Sequence, residues 1–171
     1  LLILSRVDVG AQSIELTPIR IDEIAASLLG RVGRLAKAKG VTVEFQLHPR
    51  PGSTDEIDFE TMGDSGLIAI LIQNLLENAV KYTPKDGQVR LDLSDYDNRI
   101  EIRVSDTGPG IAEENRERVF DRFFREPTTA NTVGGSGLGL SIARRIAHLH
   151  GGEIALESGK PGATFITVIR R

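Results

Sequence analysis

The chain has 171 residues, of which 40% are hydrophobic and 26% are charged, and its formal net charge is -3. This length suits one domain with a buried core. The slightly acidic balance excludes a general nucleic-acid binder, because such domains are strongly basic. The chain contains no cysteine, which excludes a disulfide framework and a thiolate metal site. No apolar run approaches the roughly 20 residues of a membrane span, and residues 1–4 are too short for a signal peptide.

Hydrophobic spacing predicts helices and short strands along the whole chain. Thr17 is predicted to cap the first complete helix, with Pro18 at its first position and Gly40 at its end. The predicted elements, in order, are the end of a helix at 1–8, a helix at 18–39, strands at 41–47 and 57–62, a helix at 67–80 capped by Asp64 or Ser65, strands at 89–93 and 100–104, a short helical stretch at 113–124, a helix at 138–150, and strands at 153–157 and 164–169. Because the chain opens within a helical pattern, we expect it to be part of a longer protein.

Three polar side chains share one face of the predicted helix at 67–80. Asn74 and Asn78 are four residues apart and Lys81 is three further on, so they lie on one side of a helix. Burying such polar groups on an apolar helix costs free energy unless they have hydrogen-bond or charge partners. Amide oxygens suit Mg²⁺, which takes its other oxygens from water and substrate phosphates, and a lysine supplies a charge for those phosphates. The alternative is a polar stripe that faces solvent or caps a loop.

A carboxylate and two glycines follow the predicted strand at 100–104, in the sequence DTGPG at 106–110. An ionised aspartate accepts hydrogen bonds and donates none. Asp106 could therefore bind the exocyclic amine of adenine, whereas guanine would present an oxygen there. Gly108 and Gly110 would let a flat ligand approach closely. The alternative is a turn in which Asp106 caps a neighbouring N–H.

A glycine-rich stretch, GGSGLGLS at 134–141, leads into the predicted helix at 138–150. Glycines allow backbone N–H groups to approach a ligand, and a helix N-terminus favours anions. This pattern predicts a phosphate cradle. It is not a P-loop, because no Gly-Lys-Ser/Thr follows, and it is not a dinucleotide fingerprint, because Leu140 replaces the third glycine and no strand precedes it. A flexible hinge is the alternative.

The sequence FDRFFR at 120–125 contains three of the six phenylalanines and two arginines. Arg122 and Arg125 could reach a terminal phosphate, whereas core packing explains the phenylalanines equally well. The polar segment 127–133 has little to anchor it and predicts a mobile lid that nucleotide orders. The three histidines, at 48, 148 and 150, are expected to be structural or solvated.

The order of these motifs resembles the N, first glycine, F and second glycine boxes of sensor histidine kinases, over about residues 18–171. The sequence GATF at 162–165 resembles the family's last glycine box, and LSRVDVG at 4–10 resembles the end of its dimerisation helix pair. The family belongs to the wider superfamily of gyrase, Hsp90 and MutL ATPases. The resemblance implies an α/β fold of the Bergerat type, a two-layer sandwich with a mixed, mostly antiparallel sheet and helices packed on one face. It implies that 1–17 is the end of the dimerisation and histidine-phosphotransfer helix with its linker, and that 18–171 is the catalytic ATP-binding domain.

Carried over by position, the resemblance also implies roles for individual residues. Asn78 would ligate Mg²⁺, with Asn74 at the same phosphate end. Lys81 and Tyr82 would contact phosphate and ribose, and Asp106 would bind adenine. The implied catalytic residues are Asn74, Asn78, Lys81 and Arg125, the last of them at the γ-phosphate. The implied ATP-binding residues are Asn74, Asn78, Lys81, Tyr82, Asp106, Gly108, Gly110, Ile111, Phe120, Gly135, Ser136, Gly137, Leu138, Gly139, Leu140 and Thr164.

The implied activity is transfer of the ATP γ-phosphoryl group to a histidine on a separate dimerisation domain, in two-component signal transduction. The implied cofactors are ATP and Mg²⁺. The expected partners are the protein's own phosphoacceptor domain and a response regulator, without nucleic acid. The full-length protein is expected to be a homodimer anchored in the inner membrane with this domain in the cytoplasm, and the fragment alone could be a monomer.

Two features depart from the family pattern. The phosphoacceptor histidine is missing and would lie upstream of Leu1. Ala163 stands where the last box often has Ser or Thr, so one hydroxyl contact near adenine is absent.

Two other functions stay open. A water-using ATPase is disfavoured, because those relatives carry a glutamate where this chain has Asn74, and an amide cannot act as a general base. A nucleotide-binding regulatory module without phosphotransfer is the other alternative.

Overall fold

The computed structural model describes residues 14–50, 52, 58–125, 134–158 and 162–171. The helix end predicted at 1–8 and the lid predicted at 127–133 lie outside these ranges. The strands and α-helices of the described ranges are β1 Thr17–Arg20, α1 Ile21–Lys39, β2 Thr42–His48, β3 Glu60–Gly63, α2 Ser65–Tyr82, β4 Gln88–Tyr96, β5 Arg99–Asp106, α3 Gly139–Leu149, β6 Glu153–Ser158 and β7 Ala163–Arg170. None of the helices in this part of the chain combines the length and apolar character that crossing a membrane requires.

A five-stranded sheet forms one layer of the domain, in the order β2-β4-β5-β7-β6. The pair β2–β4 is parallel, and the other three pairs are antiparallel. Side chains alternate along each strand: on β4, Val89 and Leu91 are buried whereas Arg90 between them is exposed. The buried face packs against the helices. The structure therefore confirms the predicted two-layer sandwich with a mixed, mostly antiparallel sheet.

The helix α2 lies at the centre of the helical layer, as its apolar composition predicts. Asp64 caps it, with the side chain accepting a hydrogen bond from the Leu67 N–H at 3.0 Å, and Pro84 follows its end. Leu71, Ile72 and their apolar neighbours along the helix are fully buried. Each such side chain contributes about 1.5–3 kcal/mol by leaving water.

The predicted helix cap at Thr17 is wrong, because residues 17–20 form a strand. β1 pairs antiparallel with β3, with Thr17 opposite Gly63, and α1 begins only at Ile21. The pairing buries Ile19, and Pro18 is tolerated because β1 is an edge strand. A non-local pairing thus replaces the local capping pattern.

The helical stretch predicted at 113–124 is also not continuous. It contains two 3₁₀ turns, Glu113–Asn115 and Arg118–Phe120. Phe123 then adopts a left-handed conformation, with φ of 65°, and its N–H donates to the Gly137 carbonyl at 2.9 Å. Because this N–H bonds to the glycine-rich stretch, an α-helix does not continue through Phe123.

Candidate functional site

A cavity of about 310 Å³ lies between α2, the loop after β5, the start of β7 and the segment that leads into α3. We call residues 134–140 the glycine segment. The predicted site residues that line the cavity are Asn74, Asn78, Lys81, Tyr82, Asp106, Gly110, Ile111, Arg125, Gly135, Ser136, Gly137, Gly139 and Leu140. Four motifs that are far apart in the sequence therefore share one cavity.

The polar face of α2 and the glycine segment approach each other closely at this cavity. A Cβ atom at Gly139 would lie 3.4 Å from Asn74 Oδ1. The Lys81 Nζ lies against Gly135, where a Cβ atom would overlap it, and is 4.9 Å from the centre of the Tyr82 ring. One wall of the cavity thus presents amides and an ammonium, and the opposite wall presents bare backbone.

Asp106 has one carboxylate oxygen held by the protein and the other open. The N–H of Gly108 donates to Asp106 Oδ1 at 2.8 Å, and the N–H of Ala163 donates to the same oxygen at 3.4 Å. In the described part of the chain, Oδ2 accepts no hydrogen bond. Burial raises the pKa of Asp106, against the smaller opposing effect of these two hydrogen bonds. The open oxygen is an acceptor for a donor within the cavity.

Two glycines shape the surroundings of Asp106 by close approach. At Gly108 a Cβ atom would lie 2.8 Å from Asp106 Oδ1 and 3.0 Å from the Tyr82 carbonyl oxygen. Gly162 has φ of 90°, and a Cβ atom there would overlap the Asp106 carbonyl oxygen. Side chains at either position would push Asp106 out of place.

Four predicted site residues do not line the cavity: Gly108, Phe120, Leu138 and Thr164. Thr164 is on the opposite face of β7, where its hydroxyl donates to Ser105 Oγ at 3.0 Å, because side chains alternate along a strand. Phe120 packs edge-to-face on the cavity residue Phe165, with 6.1 Å between ring centres. It therefore supports the wall without forming it.

The cavity also contains residues that the sequence motifs do not predict as site residues: Glu77, Pro109, Val119, Phe124, Gly134, Ala163 and Phe165. Glu77 is three residues after Asn74 and four before Lys81, so helical spacing alone could have identified it. Its Oε1 accepts a hydrogen bond from Gln73 at 2.8 Å and pairs with Arg31 of α1 at 3.3 Å. Strand alternation could have placed Ala163 and Phe165 opposite Thr164.

The donor set suits a divalent cation only together with a ligand that supplies more oxygens. No group of three His, Cys, Asp or Glu side chains in the described ranges could hold a metal. Asn74 and Asn78 add neutral oxygens on the cavity face of α2. Magnesium keeps several waters and commonly takes its remaining ligands from substrate phosphates, so these residues fit Mg²⁺ bound to a polyphosphate.

Comparison with known proteins gives consistent matches. The family model for histidine kinase-, DNA gyrase B- and HSP90-like ATPases matches residues 63–170. The sensor protein kinase PmrB of Pseudomonas aeruginosa is 35% identical over 162 residues, which cover 95% of this chain and 32% of PmrB. This chain thus spans about a third of that relative.

Two solved structures illustrate the similarity of the fold. Full-length ShkA in complex with AMPPNP is 28% identical with a TM-score of 0.79, and the match covers 98% of this chain and 34% of ShkA. Histidine kinase ThkA in complex with the response regulator protein TrrA is 25% identical with a TM-score of 0.76, and covers 99% of this chain and 46% of that one.

Replacing Gly162 by alanine is expected to destabilise the domain by about 2 kcal/mol or more, because alanine at positive φ is strained and its Cβ would overlap the backbone of Asp106. Urea denaturation measures this change. Gly33→Ala is the matched control: this glycine is within α1 with open space around it, so alanine should stabilise the helix by about 0.5–1 kcal/mol. Equal stability of Gly162→Ala and wild type would contradict the described geometry.

Proposed function

The chain belongs to the family of histidine kinase-, DNA gyrase B- and HSP90-like ATPases, and we propose that it donates the γ-phosphoryl group of ATP to a histidine on a separate dimerisation domain, as the catalytic domain of a sensor histidine kinase. The proposal is supported by the positions of the predicted motifs around one cavity. Two amides of α2, the carboxylate of Asp106 and the glycine segment line the same cavity, which has the size of a small-molecule site.

The adenine ring is proposed to lie against Asp106. The Gly108 and Ala163 N–H groups orient the carboxylate through Oδ1, which leaves Oδ2 to accept a hydrogen bond from the exocyclic amine. Ile111, Val119 and Phe165 line the same cavity and offer apolar surface to a flat ring. Guanine would place an oxygen against Asp106, so the site should prefer adenine.

The triphosphate is proposed to lie between α2 and the glycine segment. Lys81 and Arg125 line this region of the cavity and supply positive charge. The first N–H groups of α3 are not used within the helix and favour anions. Asn78 would hold Mg²⁺, with Asn74 beside it, and the bound ion would neutralise charge on the phosphates.

The residues of this chain are proposed to catalyse transfer by positioning and charge neutralisation. Water-using relatives carry a glutamate at the α2 position that Asn74 occupies here. An amide cannot act as a general base for water. Glu77 also lines the cavity, where Gln73 and Arg31 hold its Oε1. The amide at position 74 favours transfer to an incoming histidine over hydrolysis.

The proposed partners follow from the same family. The match to ThkA in complex with a response regulator supports a response regulator as the downstream partner. We propose that the full-length protein is a homodimer that supplies the phosphoacceptor histidine, and that a membrane anchor outside this sequence places the domain in the cytoplasm.

The proposal is tested by mixing the domain with a separate helical domain that bears a phosphoacceptor histidine, with Mg²⁺ and ATP labelled at the γ-phosphate. Label on the histidine domain, stable to base and labile to acid, is expected. Release of label only as inorganic phosphate would favour a water-using ATPase. Binding of ATP with neither product would favour the regulatory module.

Asn78→Ala is expected to abolish the increase in ATP affinity that Mg²⁺ causes, because the variant loses the proposed metal ligand. Calorimetry of ATP binding with and without Mg²⁺ measures this difference. Gln46→Ala, which removes an exposed amide from β2 outside the cavity, is the control and should retain the Mg²⁺ effect. An undiminished Mg²⁺ effect in Asn78→Ala would reject the proposed ligand.

Asp106→Asn is expected to weaken ATP binding by about 1–3 kcal/mol through loss of a charged hydrogen bond, and to weaken GTP binding far less. The ionised carboxylate is the acceptor, and burial raises its pKa. As the pH is lowered, the ATP affinity of the wild type should therefore begin to fall at a pH above the ordinary pKa range of aspartate. Asp106→Asn should not show this decrease. Asp92→Asn, on the open face of the sheet, is the control. Equal losses for ATP and GTP would reject the adenine assignment.

A further inference from the structure

The last turn of α2 is held by a lysine from the neighbouring helix. The last carbonyls of a helix have no donor within it. Ala79 O accepts from the N–H of Thr83 at 3.0 Å and from its hydroxyl at 2.7 Å. The carbonyls of Val80 and Lys81 instead accept hydrogen bonds from Lys39 Nζ of α1, the one to Val80 at 3.0 Å.

The turn that Lys39 holds is the turn that lines the cavity. Asn78, Lys81 and Tyr82 all contribute to the cavity wall. Lys39 bonds to the carbonyl of Lys81 itself, and the Lys81 side chain extends to Gly135. The position of the Lys81 ammonium therefore depends on backbone that Lys39 fixes.

Lys39 is itself fixed, because the end of α1 is attached to the loop after α2. Gly40 adopts the left-handed conformation that ends α1, and its carbonyl accepts from the Asp86 N–H at 2.8 Å. The N–H of Thr42 donates to the Gly87 carbonyl at 3.0 Å. A positive charge at the C-terminal end of α2 is also favourable for the helix dipole.

We propose that Lys39 is a positioning residue for the phosphate-binding end of the site, which acts by fixing the last turn of α2 and through it the ammonium of Lys81. This inference rests on the proposed function. Lys39 does not line the cavity, so it has no direct contact with nucleotide there. Its loss should impair the phosphate end and leave the adenine end, built on β5 and β7, intact.

The experiment compares Lys39→Met with wild type by measuring affinities for ATP and for adenosine, by calorimetry and NMR titration. Lys39→Met should weaken ATP binding on the order of tenfold, the effect of losing a charged capping interaction, and change adenosine affinity less than about twofold. Lys39→Arg, which keeps the charge and the donors, should restore most of the ATP affinity. Lys37→Met is the matched control, because it removes the same charge from the same turn of α1 and should change neither affinity.

The outcomes distinguish failure of the proposed function from failure of the proposed role of Lys39. No ATP binding by wild type contradicts the proposed function itself. If the wild type binds ATP, any of three results would overturn the role of Lys39. These are an unchanged ATP affinity in Lys39→Met, an equal loss of affinity for ATP and adenosine in Lys39→Met, or an equally strong loss of ATP affinity in Lys37→Met. Thermal unfolding verifies that the variants fold, and if Lys39→Met does not, Lys39→Gln provides the same comparison with the same criteria.

Discussion

The burial of α2 against the sheet is the constraint on which the rest of the site depends. The apolar residues of α2 are removed from water by packing against the sheet and the two neighbouring helices, and Leu71 and Leu75 are fully buried there. The helical period then fixes where every other residue points. Asn74, Asn78 and Lys81 are directed to the cavity because the apolar residues between them occupy the core. The same burial that stabilises the domain thus orients its polar groups.

The second requirement is space around one buried carboxylate. Asp106 ends β5, and two backbone N–H groups hold one of its oxygens. Their approach is possible because Gly108 and Gly162 have no side chain, and any Cβ there would meet Asp106 itself. On the neighbouring strand β7, Phe165 lines the same cavity and contacts Phe120 edge-to-face. Selectivity for adenine would then come from the direction of one oxygen, not from a large contact surface.

Features with a local cause could be predicted from the sequence, and features with a non-local cause could not. The periodicity of 67–80 predicts α2 and its polar face, and the glycines of 134–140 predict a backbone wall. The sequence does not predict strand β1, because its paired residues on β3 are 40 to 46 positions away and no local signal indicates the pairing. The motif at 162–165 implies a role for Thr164, whereas strand alternation turns its side chain away from the cavity. The bond from Lys39 to Val80 spans 41 residues, and nothing in the spacing around either residue indicates it.

A crystal structure of the domain with Mg²⁺ and a non-hydrolysable ATP analogue would test the proposed site most directly. We expect the amine of adenine within hydrogen-bond distance of Asp106 Oδ2, and the phosphates between Asn78 and the glycine segment. A nucleotide bound outside this cavity, or bound within it with its phosphates at Asp106, would rule out the proposed site.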